Sequence, residues 1–182
     1  MSRRVERPVD RLRELANIGA GHAATALARL VRRTIHMDVP TVRRTSENPL
    51  PEAATAAGGT AICFQLQGGF GGMMAVVFPR SSLEVLVTEI MGADAYGLAR
   101  AVESAVREAG NILVSHYASA ISDTLGAKVL ISVPLLTGPE QMASWVNALS
   151  DSAGLLIESE VFDGERELEG YLLLVPAAAS LR

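Results

Sequence analysis

The chain of 182 residues has one cysteine, Cys63, which excludes an intramolecular disulfide. Its setting, Ala61-Ile62-Cys63-Phe64, reads as a buried strand in which the thiol packs as a small core hydrophobe rather than serving as a nucleophile. Aromatic residues are 4% of the chain against a hydrophobic share of 49%, so the core must be built from Ala, Val, Leu and Ile. No uninterrupted apolar run approaches the ~20 residues needed to span a bilayer. After Arg3 and Arg4, the residues Glu6, Arg7, Asp10, Arg11 and Arg13 interrupt the place where a secretory signal would carry its apolar segment. No membrane partner is expected, and a cytoplasmic location is.

A basic excess is missing too. The net charge of −4 gives no general attraction to nucleic-acid phosphates, and no nucleic-acid motif accompanies the arginines. These cluster at Arg3, Arg4, Arg7, Arg11 and Arg13, and again at Arg32, Arg33, Arg43 and Arg44. Such clusters read as solvated surface, with steering of an acidic protein partner as the alternative. The sequence also lacks a His, Cys or carboxylate cluster with metal-ligand spacing.

What the chain does have is one polar pattern written twice. Asp10, Glu14, Asn17 and Pro40 return as Ser104, Glu108, Asn111 and Pro134, each 94 positions later. From average residue usage, one copy at a chosen place arises by chance on the order of once in 10⁵, so two copies imply internal duplication. The same shift aligns His22 with His116, Ala24 with Ala118, Ala26 with Ala120 and Val39 with Val133, pairs that carry no activity by themselves. A half-chain repeat points to one domain with pseudo-twofold symmetry, whereas a solenoid would repeat every ~20–50 residues. A single domain over residues 1–182 is expected, with repeats at about 9–92 and 99–176; a chain this long can bury roughly 70% of its unfolded surface.

Residues Val9 to Arg33 and Ala99 to Leu125 carry helical periodicity, the second closed by Gly126. Strands are expected over Thr34–Val42, Gly59–Leu66 and Met73–Phe78 in the first half, and Lys128–Leu136, Leu155–Phe162 and Gly170–Val175 in the second. Asp163-Gly164 is a turn signal. Ser81 and Glu84 fit a capping box for a helix over about Ser82–Met91, closed by Gly92, and its counterpart after Pro176 is absent or reduced to a turn. The expected fold is α/β: a two-layer domain with long helices packed on a mainly antiparallel sheet.

With about 100° per residue, Glu14 and Asn17 lie about 60° apart, with Asp10 and Gly21 between them, away from the stripe of Leu12, Gly19, Ala23 and Ala26. Ser104, Glu108, Asn111 and Ser115 group in the same way on the second helix. Asn is a mediocre residue in an exposed helix, so its recurrence suggests use. Gly21 and Thr25, like Ser115 and Ser119, keep the faces low enough for something to dock flat. Ile18 and Ile112, at the edges, are either peripheral core or partner contacts. Pro40 and Pro134 fall within strand-like segments, where proline is confined to edges, bulges or ends, and are expected to shape a strand beside the site. The expected role of His22 and His116, on the core side of their helices, is packing. An Asn amide can orient a water through donor and acceptor together, and a Glu can pair with a lysine of a docked protein.

The segment Glu14-Leu15-Ala16-Asn17-Ile18-Gly19-Ala20-Gly21-His22-Ala23-Ala24-Thr25-Ala26-Leu27, with both four-residue patterns, resembles the CheC family of chemotaxis phosphatases, in its form with two intact motifs. The resemblance implies hydrolysis of the aspartyl phosphate of a CheY-type response regulator. Glu14, Asn17, Glu108 and Asn111 match the family's catalytic positions, where Asn places the water and Glu engages a lysine of the regulator. It also implies that Mg²⁺ belongs to the regulator and that this chain has no cofactor of its own, in agreement with the missing ligand cluster. The deamidase CheD is a further implied partner, although the family's usual last helix is missing after Pro176. A non-catalytic adaptor that holds the phosphorylated regulator or CheD is the competing reading; a metal-dependent hydrolase of small molecules would need the absent ligand cluster.

Overall fold

A computed structural model describes residues 3–44, 58–98, 100–138, 140–146 and 154–181. Helix α1 (Arg3–Val31) is followed by strands β1 (Ile35–Met37), β2 (Thr41–Arg44), β3 (Thr60–Gly68) and β4 (Gly72–Phe78), then helix α2 (Arg80–Met91). Helix α3 (Ala101–Leu125) opens a parallel series of β5 (Val129–Ile131), β6 (Leu135–Thr137), a short helix α4 over residues 140–146, β7 (Leu155–Asp163) and β8 (Glu169–Pro176). The expected start of the second helix at Ala99 lies outside the described residues. A 3₁₀ turn at Ala178–Leu181 stands after Pro176.

All strand pairs are antiparallel, and the sheet runs β1-β7-β8-β4-β3-β5, with β2 also on β7 and β6 also on β3. The order is symmetric about the central β4–β8 pair, in which Ala75 faces Leu173. Each half places its broken strand on the other half's sheet: Ile35 to Met37 pair with β7, and Val129 to Ile131 with β3. The expected strands over Thr34–Val42 and Lys128–Leu136 are thus each split, because a proline without an N–H interrupts the ladder at Pro40 and Pro134.

Period-two alternation divides the sheet's side chains between two faces. Ile62, Phe64, Met74, Val76, Phe78, Ile157, Leu172 and Leu174 meet the helices in the main core. Ala61, Cys63, Met73, Ala75, Val77, Leu156, Tyr171 and Leu173 face the other way and are joined by Met142 and Val146 of α4. Sequence periodicity does not pick out α4. Cys63 is buried as expected, and burial pushes its thiol up to about 12.

Small residues let the long helices sit close. A Cβ on Gly19 would lie 2.7 Å from the ring of buried Tyr117, which fixes where α1 crosses α3. Gly110 meets the side chain of Ile62 so closely that a Cβ would overlap it, seating α3 on β3. Gly126 ends α3 in the left-handed conformation at φ 63°, as the sequence predicts.

Two expectations are corrected. Helix α2 begins at Arg80, with Pro79 before it and no side-chain cap, so Ser81 and Glu84 do not form a capping box. The hydroxyl of the next serine, Ser82, instead accepts the backbone N–H of Glu169 at 2.8 Å. Arg33 and Arg43 are not simply solvated: Arg33 bridges Glu89, Asp163 and Glu167, and Arg43 pairs with Glu158 at 3.1 Å.

Candidate active site

On α1 the buried arc takes Leu12, Leu15, Ala16, Ala20, Ala23, Ala24 and Leu27, and this leaves Asp10, Glu14 and Asn17 exposed with Ile18 and Gly21 half-buried. On α3 the arc of Ala105, Val106, Ala109, Gly110, Leu113, Val114 and Tyr117 leaves Ser104, Glu108 and Ser115 exposed, with Asn111 and Ile112 half-buried. Each Asn directly follows a buried small residue, Ala16 or Gly110, and at Gly110 the helix is pressed against Ile62 of β3. The two stripes are therefore backed by core and open to solvent. Among the described residues, no hydrogen bond engages the amide of Asn17 or Asn111. An unengaged amide keeps both its donors and its acceptor for an incoming molecule.

His22 and His116 are exposed, contrary to the packing expected of them. At about 100° per residue each falls just beyond the edge of the buried arc, beside Ile18 or Ile112.

The surroundings of the two stripes differ. At the first, Arg13 Nη1 lies 3.6 Å from Asp10 Oδ1, an exposed pair. At the second, Arg107 Nε donates to Glu103 at 3.1 Å while Nη1 donates to the carbonyl of Pro134 at 3.4 Å. Arg107 is the neighbour of Glu108 and ties the strand break to the helix. Its role is not legible in the repeat, because Arg13 occupies the equivalent position but Glu103 has Val9 as its counterpart. Near the first stripe, Gly21 faces Met37 at the end of β1, 3.9 Å from where a Cβ would stand, and Thr25 Oγ1 donates to the Gly21 carbonyl at 2.9 Å. Pro40 is buried and Pro134 half-buried, each in the gap between two short strands.

Chemically, each stripe offers a Glu carboxylate, joined by Asp10 on the first, together with one free amide and low neighbours. Among the described residues, no three His, Cys, Asp or Glu side chains converge as a metal-ligand group. The arrangement can position a water and meet a cation on a docking molecule.

The model of the CheC-like family matches residues 10–44 and 102–136, the two stretches that run from each helix stripe through its strand break. Over these two stretches the chain is similar to the CheC-like family. It is 28% identical to the CheY-P phosphatase CheC of Bacillus subtilis, over 94% of this chain and 88% of that one. Among solved structures, FliY of Thermotoga maritima superposes with a TM-score of 0.66 at 20% identity, over 96% of this chain and 92% of the other. The CheX–CheY–BeF₃–Mg²⁺ complex of Borrelia burgdorferi gives 0.58 at 13% identity, over 87% and 95%. These structures share the antiparallel α/β fold of this chain. No helix among its described residues is long and apolar enough to cross a membrane.

Proposed function

We propose that this CheC-like chain is a phosphatase of the aspartyl phosphate on a CheY-type response regulator, acting as one domain with two similar sites. The observation that carries the reading is the paired presentation of Glu14 with Asn17 and Glu108 with Asn111 on exposed, core-backed stripes, both amides unengaged. Support comes from the similarity to a CheY-P phosphatase and from the shared fold with a CheX captured on CheY.

In this mechanism the regulator docks against one stripe and brings its Mg²⁺ and phosphoryl group. Asn17 or Asn111 accepts a hydrogen bond from a water and donates to hold it in line with the phosphorus. Glu14 or Glu108 pairs with a lysine of the regulator and so sets the approach of the amide. The in-line attack transfers the phosphoryl group to water and returns the aspartate. Positioning supplies the acceleration, because neither Asn nor an exposed Glu can serve as a strong base here. Asp10, Ser104, Gly21, Ser115, Ile18 and Ile112 form the contact margin. A cytoplasmic location accompanies a regulator substrate, and CheD is proposed as a second partner at other surfaces.

Adding the purified chain to a phosphorylated CheY-type regulator should shorten the half-life of its phosphate. Stoichiometric binding with an unchanged half-life would favour the adaptor instead.

A further inference from the structure

Val39 and Val133 are 74% and 87% exposed, more than any other large hydrophobic side chain among the described residues. Single exposed apolar residues are ordinary. These two occupy equivalent positions 94 apart, and each directly precedes the proline that splits its strand.

The local mechanics hold both valines outward. The N–H of Asp38 donates to the carbonyl of Glu160 at 3.0 Å, and the N–H of Ser132 to that of Gln65 at 2.9 Å, so the residue before each valine is pinned to the sheet. Pairing resumes at Thr41 and at Leu135. Proline restricts the preceding residue to extended backbone, and a β-branched side chain is stiff at χ1. In the second half Ser132 Oγ accepts the N–H of Gln65 at 2.9 Å and donates to the Val133 carbonyl at 3.0 Å, fixing the projecting residue further. Each valine is thus a rigid knob with little conformational entropy to lose on contact.

Both knobs belong to the margins of the stripes. The Arg107 bond to the Pro134 carbonyl joins the second break to the turn of α3 that carries Glu108, and the Met37 contact places the end of β1 beside Gly21, one turn beyond Asn17. A Glu–Asn pair can position a water but buries little apolar area, so affinity for a partner must come from neighbouring groups.

We infer that Val39 and Val133 are apolar anchors that grip the rim of the receiver domain docked on each Glu–Asn site, a reading that rests on the regulator-phosphatase proposal. The receiver must then present an apolar patch beside its phospho-aspartyl pocket. Losing both anchors weakens docking without touching the water-positioning amides.

The test titrates a CheY-type receiver, activated with BeF₃ and Mg²⁺, into the full chain as wild type, as Val39→Asp/Val133→Asp and as Val39→Ile/Val133→Ile, and measures kcat and KM on the phosphorylated receiver. The Asp variant should raise Kd and KM by about tenfold or more, with kcat within about twofold and the melting temperature unchanged; the Ile variant should behave as wild type. A Kd for the Asp variant within about twofold of wild type, a fall in kcat at unchanged KM, or a wild type that does not bind the receiver would each overturn the inference. Hydrolysis with valine-independent affinity removes the anchors and leaves the phosphatase standing. Valine-dependent binding without hydrolysis keeps the anchors and removes the phosphatase.

Discussion

Arg33 Nη1 donates to Asp163 Oδ2 at 2.6 Å and to Glu167 at 2.8 Å, while its Nε reaches Glu89 at 2.9 Å. One guanidinium therefore joins the end of α1, the helix α2 and the β7–β8 turn. The other oxygen of Asp163 accepts the backbone N–H groups of Glu167 and Leu168. Asp163 is 5% exposed, so removing Arg33 leaves a buried carboxylate without its cation. Arg33→Ala should cost about 2 kcal/mol and lower the melting temperature by about 4–8 °C in a thermal scan, with hydrolysis at saturation little changed.

The same cluster sets an acid limit. Burial alone would raise the Asp163 carboxyl, but the hydrogen bonds from Arg33 and from the Leu168 and Glu167 backbone outweigh it and hold the group below the usual carboxylate range. A group depressed in the folded state stabilises fully above its unfolded value near 3.9 and loses that contribution as pH falls through the folded value. Denaturant titrations should show Asp163→Asn losing less stability than wild type between about pH 4 and pH 2. Parallel curves for the two proteins would contradict this.

Gly19 meets the Tyr117 ring at 2.7 Å from an added Cβ, and the ring is enclosed between α1 and α3. Gly19→Ala should cost about 2 kcal/mol by forcing the helices apart. Combining it with Tyr117→Leu should cost less than the sum of the two single changes, a coupling that a double-mutant cycle measures directly.

The contact of Arg107 with the Pro134 carbonyl should matter for position more than for stability, because its Glu103 pair is exposed by 39% and 43% on the two sides. In an Asn17→Ala background, which isolates the second site, Arg107→Gln should lower kcat several-fold with no shift in melting temperature. An unchanged kcat would show that the tie does not position the site.

The doubled pattern made much of the molecule legible. Helix phase placed Glu14, Asn17, Glu108 and Ser104 on solvent, whereas alternation alone ran a strand unbroken through Pro40 and through Pro134, where the ladder is in fact interrupted. Sequence spacing could not foresee the Arg33 cluster, whose partners lie 56, 130 and 134 positions away and are brought together by the fold. His22 and His116 sit at the boundary of the buried arc, where a few degrees of helix phase decide exposure. The Ser81–Glu84 cap failed because the helix starts two residues earlier than that motif requires. Val39 and Val133 were visible as a repeat, but their exposure emerges only when the strands are seen to part around them.

The central claim is that two free amides position the hydrolytic water. It is tested most directly by single-turnover loss of phosphate from a saturating phosphorylated CheY-type regulator, comparing wild type with Asn17→Ala, Asn111→Ala and the double variant, each with receiver affinity measured alongside. The double variant should bind the receiver normally and lose hydrolysis by about 10²-fold or more, each single variant retaining the turnover of its intact site. Turnover by the double variant at the wild-type rate would contradict the account.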